Sequence, residues 1–210
     1  GRKIPSIDKV KLAPADKWII SKLQNCIREV TTNLNKYEMG VASDLVTGFV
    51  WDDFCDWYIE LSKPSLYGED ENRKTDALAV LCYVLENALK LLHPFIPFVT
   101  EEIYQSIHGK DKSIMVESWP LIYDNIDQNK VKAIDNILQI IKISRELRTE
   151  NNIKPSKELN VMVEGFELDD CVIEDDKLKI NESKNKGTVK VLSGSLKNLT
   201  YLFSHNLWDI

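Results

Sequence analysis

The sequence predicts a mainly α protein, a helical bundle followed by a small α/β appendage. Three observations carry this. Apolar residues recur at steps of three and four from Ile19 to Leu147, prolines and glycines fall where those patterns stop, and strict alternation appears only after Pro155. With 210 residues, 43% of them hydrophobic, the chain can bury one substantial core and a small second one.

A first helix begins near Pro14, a favourable first-turn residue, and carries Ile19, Leu23, Ile27, Val30, Leu34 and Tyr37 on one face, with Gly40 as the break. A second runs from about Val41 to Ser62, with Leu45, Phe49, Phe54, Trp57, Tyr58 and Leu61 inward and Pro64 preventing continuation. Tyr67 to Lys74 reads as a loop. The third helix, Thr75 to His93, shows the stripe Leu78, Leu81, Cys82, Leu85, Leu89 and Leu92. Pro94 and Pro97 end it, and a fourth follows from Pro97 to about Ile107. The β-prone run between Ser113 and Pro120 reads as an extended strap across the bundle. The fifth helix, about Asp127 to Asn151, carries Val131, Ile134, Leu138, Ile141 and Leu147. Beyond Pro155, Glu158 to Glu164 alternates like a strand, Val189 to Leu199 reads as a helix and Thr200 to Phe203 as extended. The expected organisation is a connector at 1–12, the bundle at 13–152 and the appendage at 153–210.

No apolar run approaches the roughly 18 residues of a membrane span, and GRKIPSIDKV lacks a signal peptide's apolar region, so a soluble cytoplasmic chain is expected with no membrane partner. Cys26, Cys55, Cys82 and Cys171 form no CxxC pair, which favours reduced thiols over a zinc module or disulfides. Formal charge is −6, yet cations cluster locally in Arg2 to Lys36 and in Lys142 to Lys157. Local field, rather than net charge, steers a polyanion.

Catalysis would need converging nucleophile, base or metal ligands. His93, His108 and His205 lie far apart, no phosphate-binding glycine loop is present, and Asp52 and Asp56 lack a further ligand in register, so a solvated helix face is expected there and neither metal nor catalytic residues are assigned. Trp51, Phe54, Trp57 and Tyr58 cannot share one helix face, and core packing of these rings is expected over a base-stacking platform. Ile59, Glu60 and Lys63 sit just beyond them, joining an apolar surface, an acceptor and a cation, a set suited to an unstacked base. Lys142, Arg145 and Arg148, at steps of three, suit phosphate contact, as do Lys17, Lys22 and Arg28. For all nine, an ordinary solvated surface remains the competing reading.

The runs WDDFCDWYIELSKP (Trp51 to Pro64) and LLHPFIPFVTEEIYQ (Leu91 to Gln105) resemble the anticodon-binding region of valyl-tRNA synthetases. LAPADKWIISKL, IMVESWP and RELRTENNIKPSK fit the same pattern almost collinearly from Ala13 to about Glu164. Isoleucyl and leucyl enzymes share the architecture, but FCDWYIE points to the valine enzyme. The resemblance implies a class I helical bundle gripping the anticodon stem-loop of valine tRNA, with Ile59 and Glu60 at the pocket by motif matching. The family's nucleotide-binding domain, the helix just upstream and the C-terminal coiled-coil arm have no counterpart in these residues. What is expected, then, is a non-catalytic binding module without a cofactor, whose parent would use ATP with magnesium for aminoacylation. A helical protein-interaction scaffold stays open as the alternative.

Overall fold

A computed structural model describes residues 5–122, 128–150, 152, 161–163, 171–174, 177–180 and 189–191. Its contacts divide the chain into two units, Gly1–Leu12 with Asp16–Ile126 and Ala13–Ala15 with Asp127–Ile210.

In the first unit, helix α1 (Pro14–Asn35) buries Trp18, Ile19, Leu23, Ile27 and Val30 almost completely. Tyr37 does not extend that stripe, being 90% exposed. It takes φ 61, and the amides of Tyr37 and Glu38 donate back to the carbonyls of Leu34 and Asn33 at 3.0 and 2.9 Å. This is a Schellman closure with a ring where glycine is usual. The break expected at Gly40 therefore falls three residues earlier, because the left-handed residue satisfies the last carbonyls there, and Gly40 sits in the first turn of the next helix.

That helix is one continuous rod. Helix α2 (Met39–Gly48) passes into π-helical backbone at Phe49–Tyr58 and then into α3 (Ile59–Tyr67). Bonding from i to i+5 widens the turn, and the buried pair Phe49 and Phe54 is spaced by five. Counting in α-helical turns consequently misplaces two rings, Trp51, which is 68% exposed, and Trp57, which is only half-buried; Leu45, in α2, is also only half-buried. Nor does Pro64 stop the rod, which runs on to Tyr67. Leu61, Ser62 and Ser65 are buried there, and α3 packs on α4; this burial outweighs a local cost of about 3 kcal/mol for proline inside a helix. The rod ends at Gly68, whose backbone turns extended, and glycine suits the position because a Cβ there would lie 2.8 Å from the Pro64 carbonyl oxygen.

Helix α4 (Glu71–Leu92) starts inside the expected loop, since Asp70 Oδ1 accepts from the amides of Asn72 and Arg73 at 2.9 and 3.1 Å. Its buried residues are Ala77, Ala79, Val80, Val84, Ala88, Leu89 and Leu91; of the expected stripe Leu89 is thus in the core, whereas Leu78, Leu81, Cys82, Leu85 and Leu92 are half-buried. Helices α2, α3 and α5 all pack on α4, with Tyr104 of α5 and Ile114 clustered against Leu89 and Leu85. Helix α5 (Pro97–His108) buries Thr100 and Tyr104 and closes at Gly109, whose φ is 106. The strap opens with a 3-10 turn at Ile114–Val116 in place of extended chain, because Glu101 Oε2 accepts from both the Ser113 hydroxyl and the Ile114 amide at 3.2 Å. Further along, Lys90 pairs with Glu117 at 3.1 Å and Trp119 Nε1 donates to Thr31 Oγ1 at 2.9 Å. Cys26, Cys55 and Cys82 are free thiols, and burial pushes Cys26 up to about 12.

In the second unit, α6 (Gln128–Glu150) buries Ile134, Ile137, Leu138 and Ile141. The strands β1 (Val161–Val163) and β4 (Val189–Val191) pair antiparallel, as do β2 (Cys171–Glu174) and β3 (Lys177–Ile180). Val189–Val191 is thus strand and not the start of a helix; its two valines stand opposite Val161 and Val163, and β-branched alternation suits a ladder. The remainder of that segment and Thr200 to Phe203 lie outside the described residues.

Ala77→Leu should lower stability by about 1–3 kcal/mol through overpacking of the close α4 face. Urea unfolding measures it, and an unchanged midpoint would show that this face is not tightly packed.

Candidate nucleic-acid interface

Ile59 is the first residue of α3, half-buried, and Glu60 and Lys63 stand in solvent beside it. Lys63 Nζ lies 2.5 Å from Glu60 Oε1, with the two side chains 46% and 52% exposed. An apolar edge, a carboxylate and an ammonium thus share one helical turn. The pair is exposed enough that its own attraction adds little to stability, so a ligand could exchange for either partner at small cost.

The main chain supports this turn weakly. Before it lies the π-helical stretch, and after it Pro64 offers no N–H to the Glu60 carbonyl. The Ser62 hydroxyl donates to the Ile59 carbonyl at 2.8 Å instead of a regular ladder carrying the load alone. Firm support comes from the neighbouring residue. Tyr58 is fully buried and its hydroxyl donates to Asp16 Oδ1 at 2.7 Å; the other oxygen, Oδ2, takes Arg73 Nη2 at 2.6 Å. Asp16 is 1% exposed and the Arg73 side chain 18%, so a buried carboxylate is matched by a largely buried guanidinium and completed by a phenol. Arg73 Nη1 also donates to the Lys11 carbonyl at 3.1 Å, joining the segment before α1 to the same cluster. Burial, then the Asp16 carboxylate, pushes the Tyr58 phenol well above its ordinary 10.0.

Asp16 and Arg73 were not singled out from sequence as functional, although a signal existed. Asp16 precedes Ile19 and Leu23 at steps of three and four, and Arg73 precedes Ala77, Val80 and Val84 in the same way. Each puts a charge in register with a buried stripe, which requires a partner.

The cations divide. Lys17 and Arg28 are exposed and eleven residues apart, hence on one side of α1 and roughly 16 Å from each other. Lys22 turns away, lying 3.4 Å from Asp53 and 5.8 Å from the centre of the Trp18 ring. Arg28 Nη1 donates to Asn25 at 2.9 Å. In the second unit Lys142 and Arg145 are exposed on neighbouring rows of α6, while the Arg148 side chain lies outside the described residues. Asp52 and Asp56 are exposed. Among the described residues no group of three or more histidines, cysteines and carboxylates could hold a metal, and no helix is long and apolar enough to cross a membrane.

Residues 16–163 match the family described as the anticodon-binding domain of tRNA ligase. The chain belongs to this family. As an anticodon-binding domain it is similar to the valine–tRNA ligases of Clostridium acetobutylicum and Clostridium tetani, 46% and 45% identical over 150 residues. That of Oceanobacillus iheyensis is 42% identical over 154 residues, or 73% of this chain. In each case the shared region is 17% of the relative, so the chain corresponds to a small part of those proteins. The matched family is an anticodon-binding and not a catalytic domain. Both quoted signatures, Trp51 to Pro64 and Leu91 to Gln105, fall inside the match.

Asp16→Ala should cost about 3 kcal/mol in urea unfolding, because the largely buried Arg73 and the buried Tyr58 hydroxyl both lose their partner; a loss below about 1 kcal/mol would contradict the pairing. Since the folded phenol of Tyr58 titrates above the unfolded one, its contribution is complete below pH 10.0 and is lost as pH rises through the folded value. Melting temperature should therefore fall above about pH 10, and less steeply in Tyr58→Phe; parallel curves would exclude Tyr58 as a source.

Proposed function

We propose that this chain docks the anticodon stem-loop of valine tRNA and presents it to a ligation centre carried elsewhere in a longer cytoplasmic protein that uses ATP with magnesium. The observation supporting it is the set Ile59, Glu60 and Lys63, displayed together on a firmly anchored turn within a chain of the anticodon-binding family. Ile59 offers an apolar edge to an unstacked base, Glu60 an acceptor for exocyclic amino groups, and Lys63 a donor. Lys17, Arg28, Lys142 and Arg145 are exposed cations that would engage phosphates and fix orientation without reading sequence. Lys22 contributes less, its charge being matched by Asp53. A protein-contact reading is favoured by one feature, the row Ile96, Val99, Ile103 and Ile107 left exposed along α5.

Titration of the chain with a valine anticodon stem-loop should give a Kd no tighter than about 10⁻⁶ M and a steep loss of affinity with salt. Ile59→Ala and Glu60→Ala should each weaken binding about tenfold, close to 1.4 kcal/mol, with the bundle still folded by circular dichroism. If both variants bind as the parent does, the base-reading assignment is wrong and the protein-contact reading gains.

A further inference from the structure

The Ile59–Glu60 turn has an unusual mechanical situation. Its hydrogen-bond ladder is altered on the upstream side by ten residues of π-helical backbone and broken on the downstream side by Pro64. A turn so placed can rotate or slide about the rod axis unless something outside the rod fixes it. Packing of Leu61 against neighbouring helices has no preferred direction; Tyr58, immediately before the turn, supplies a directional tie. Its hydroxyl ends on a carboxylate of α1 that is also held by a guanidinium of α4, so three helices meet through three side chains at 2.7 and 2.6 Å. Two of these groups form a charged pair whose carboxylate is buried and whose guanidinium is largely so, and such pairs tolerate little displacement. Arg73 uses its remaining arm on the Lys11 carbonyl, so the segment that leads into α1 is tied to the same point.

We infer that Asp16, Tyr58 and Arg73 are positioning residues for the base-reading turn: they set where Ile59 and Glu60 stand, and they link that placement to the segment around Lys11. The inference rests on the anticodon-binding reading for its consequence in RNA recognition, but the mechanical link exists without RNA. No member of the trio touches the ligand. Their removal alters discrimination between loops more than it alters phosphate contact, because the cations sit on other turns.

The test uses the whole chain with isotope-labelled isoleucine methyls, comparing Tyr58→Phe and Arg73→Gln with Thr31→Val, which cuts the Trp119 bond elsewhere in the bundle. Three quantities are read: the Ile59 methyl resonance, amide exchange at Ile59 to Lys63, and the affinity ratio between a valine anticodon stem-loop and the same stem-loop with its anticodon bases replaced. In Tyr58→Phe and in Arg73→Gln the methyl resonance should shift, exchange should quicken about tenfold and the affinity ratio should fall about tenfold, while the salt slope stays that of the parent. Thr31→Val should leave all of these unchanged even where it lowers the melting temperature. A merely structural trio would depress melting in both variants and leave the methyl resonance, the exchange and the ratio as in the parent; that result overturns the inference. Should the parent chain itself not discriminate between the two stem-loops, the anticodon reading fails, and the methyl and exchange measurements still decide whether the trio positions Ile59.

Discussion

The carboxylate of Asp16 accepts from a phenol on one oxygen and a guanidinium on the other, and most of what is particular about the first unit follows from that arrangement. Apolar packing alone would tolerate several relative placements of α1, the long rod and α4, since hydrophobic contact has no preferred direction. A desolvated ion pair with a third hydrogen-bonding partner has direction and a narrow range of lengths. It fixes the phase of the rod at Tyr58, the place where the rod's own backbone is least regular. The exposed Glu60 and Lys63 are consequently held by a core interaction although they contribute nothing to the core themselves.

Charge along the rod supports a division of labour. Asp44, Asp52, Asp56 and Glu60 are all exposed, so its solvent side is acidic and unsuited to following a phosphate backbone. Lys63 alone offsets this near the end, and it is paired with Glu60. The exposed cations of α1 lie on a different helix. On the proposed reading, contact at the turn would be with base edges, where an acceptor and an apolar surface are useful, since the acidic stretch before it disfavours a phosphate backbone laid along the rod. A net charge of −6 is compatible with this arrangement because the field that matters is local.

Much of the fold was legible because Ile19, Leu23, Ile27 and Val30 obey the α-helical period without exception, and because Pro97 and Gly109 mark their helix correctly. The failures have specific causes. The π-helical stretch follows a different period, so Trp51 was counted with the core rings when it is outside. In α4 the leucine stripe is buried at Leu89 but half-buried at Leu78, Leu81, Leu85 and Leu92, and Ala77, Val80 and Val84 fill much of the core, since small side chains govern how closely helices approach. Tyr37 adopts a conformation normally reserved for glycine, which residue type alone does not reveal. At the candidate site, chemistry, spacing and the family motif point to Ile59, Glu60 and Lys63 as one exposed turn, but the network behind Tyr58 depends on residues 42 and 57 positions apart in the chain. Only the misplaced charges in two apolar stripes hinted at it.

The strap over the bundle has its own consequence for how the molecule comes together. The bond from Trp119 to Thr31 joins positions separated by 88 residues, and Glu101 and Lys90 hold the intervening stretch through polar contacts. Closing so long a loop is entropically unfavourable until the helices it crosses are already in place. A latch of this kind is expected to close after the helices it crosses have formed and to open before they separate.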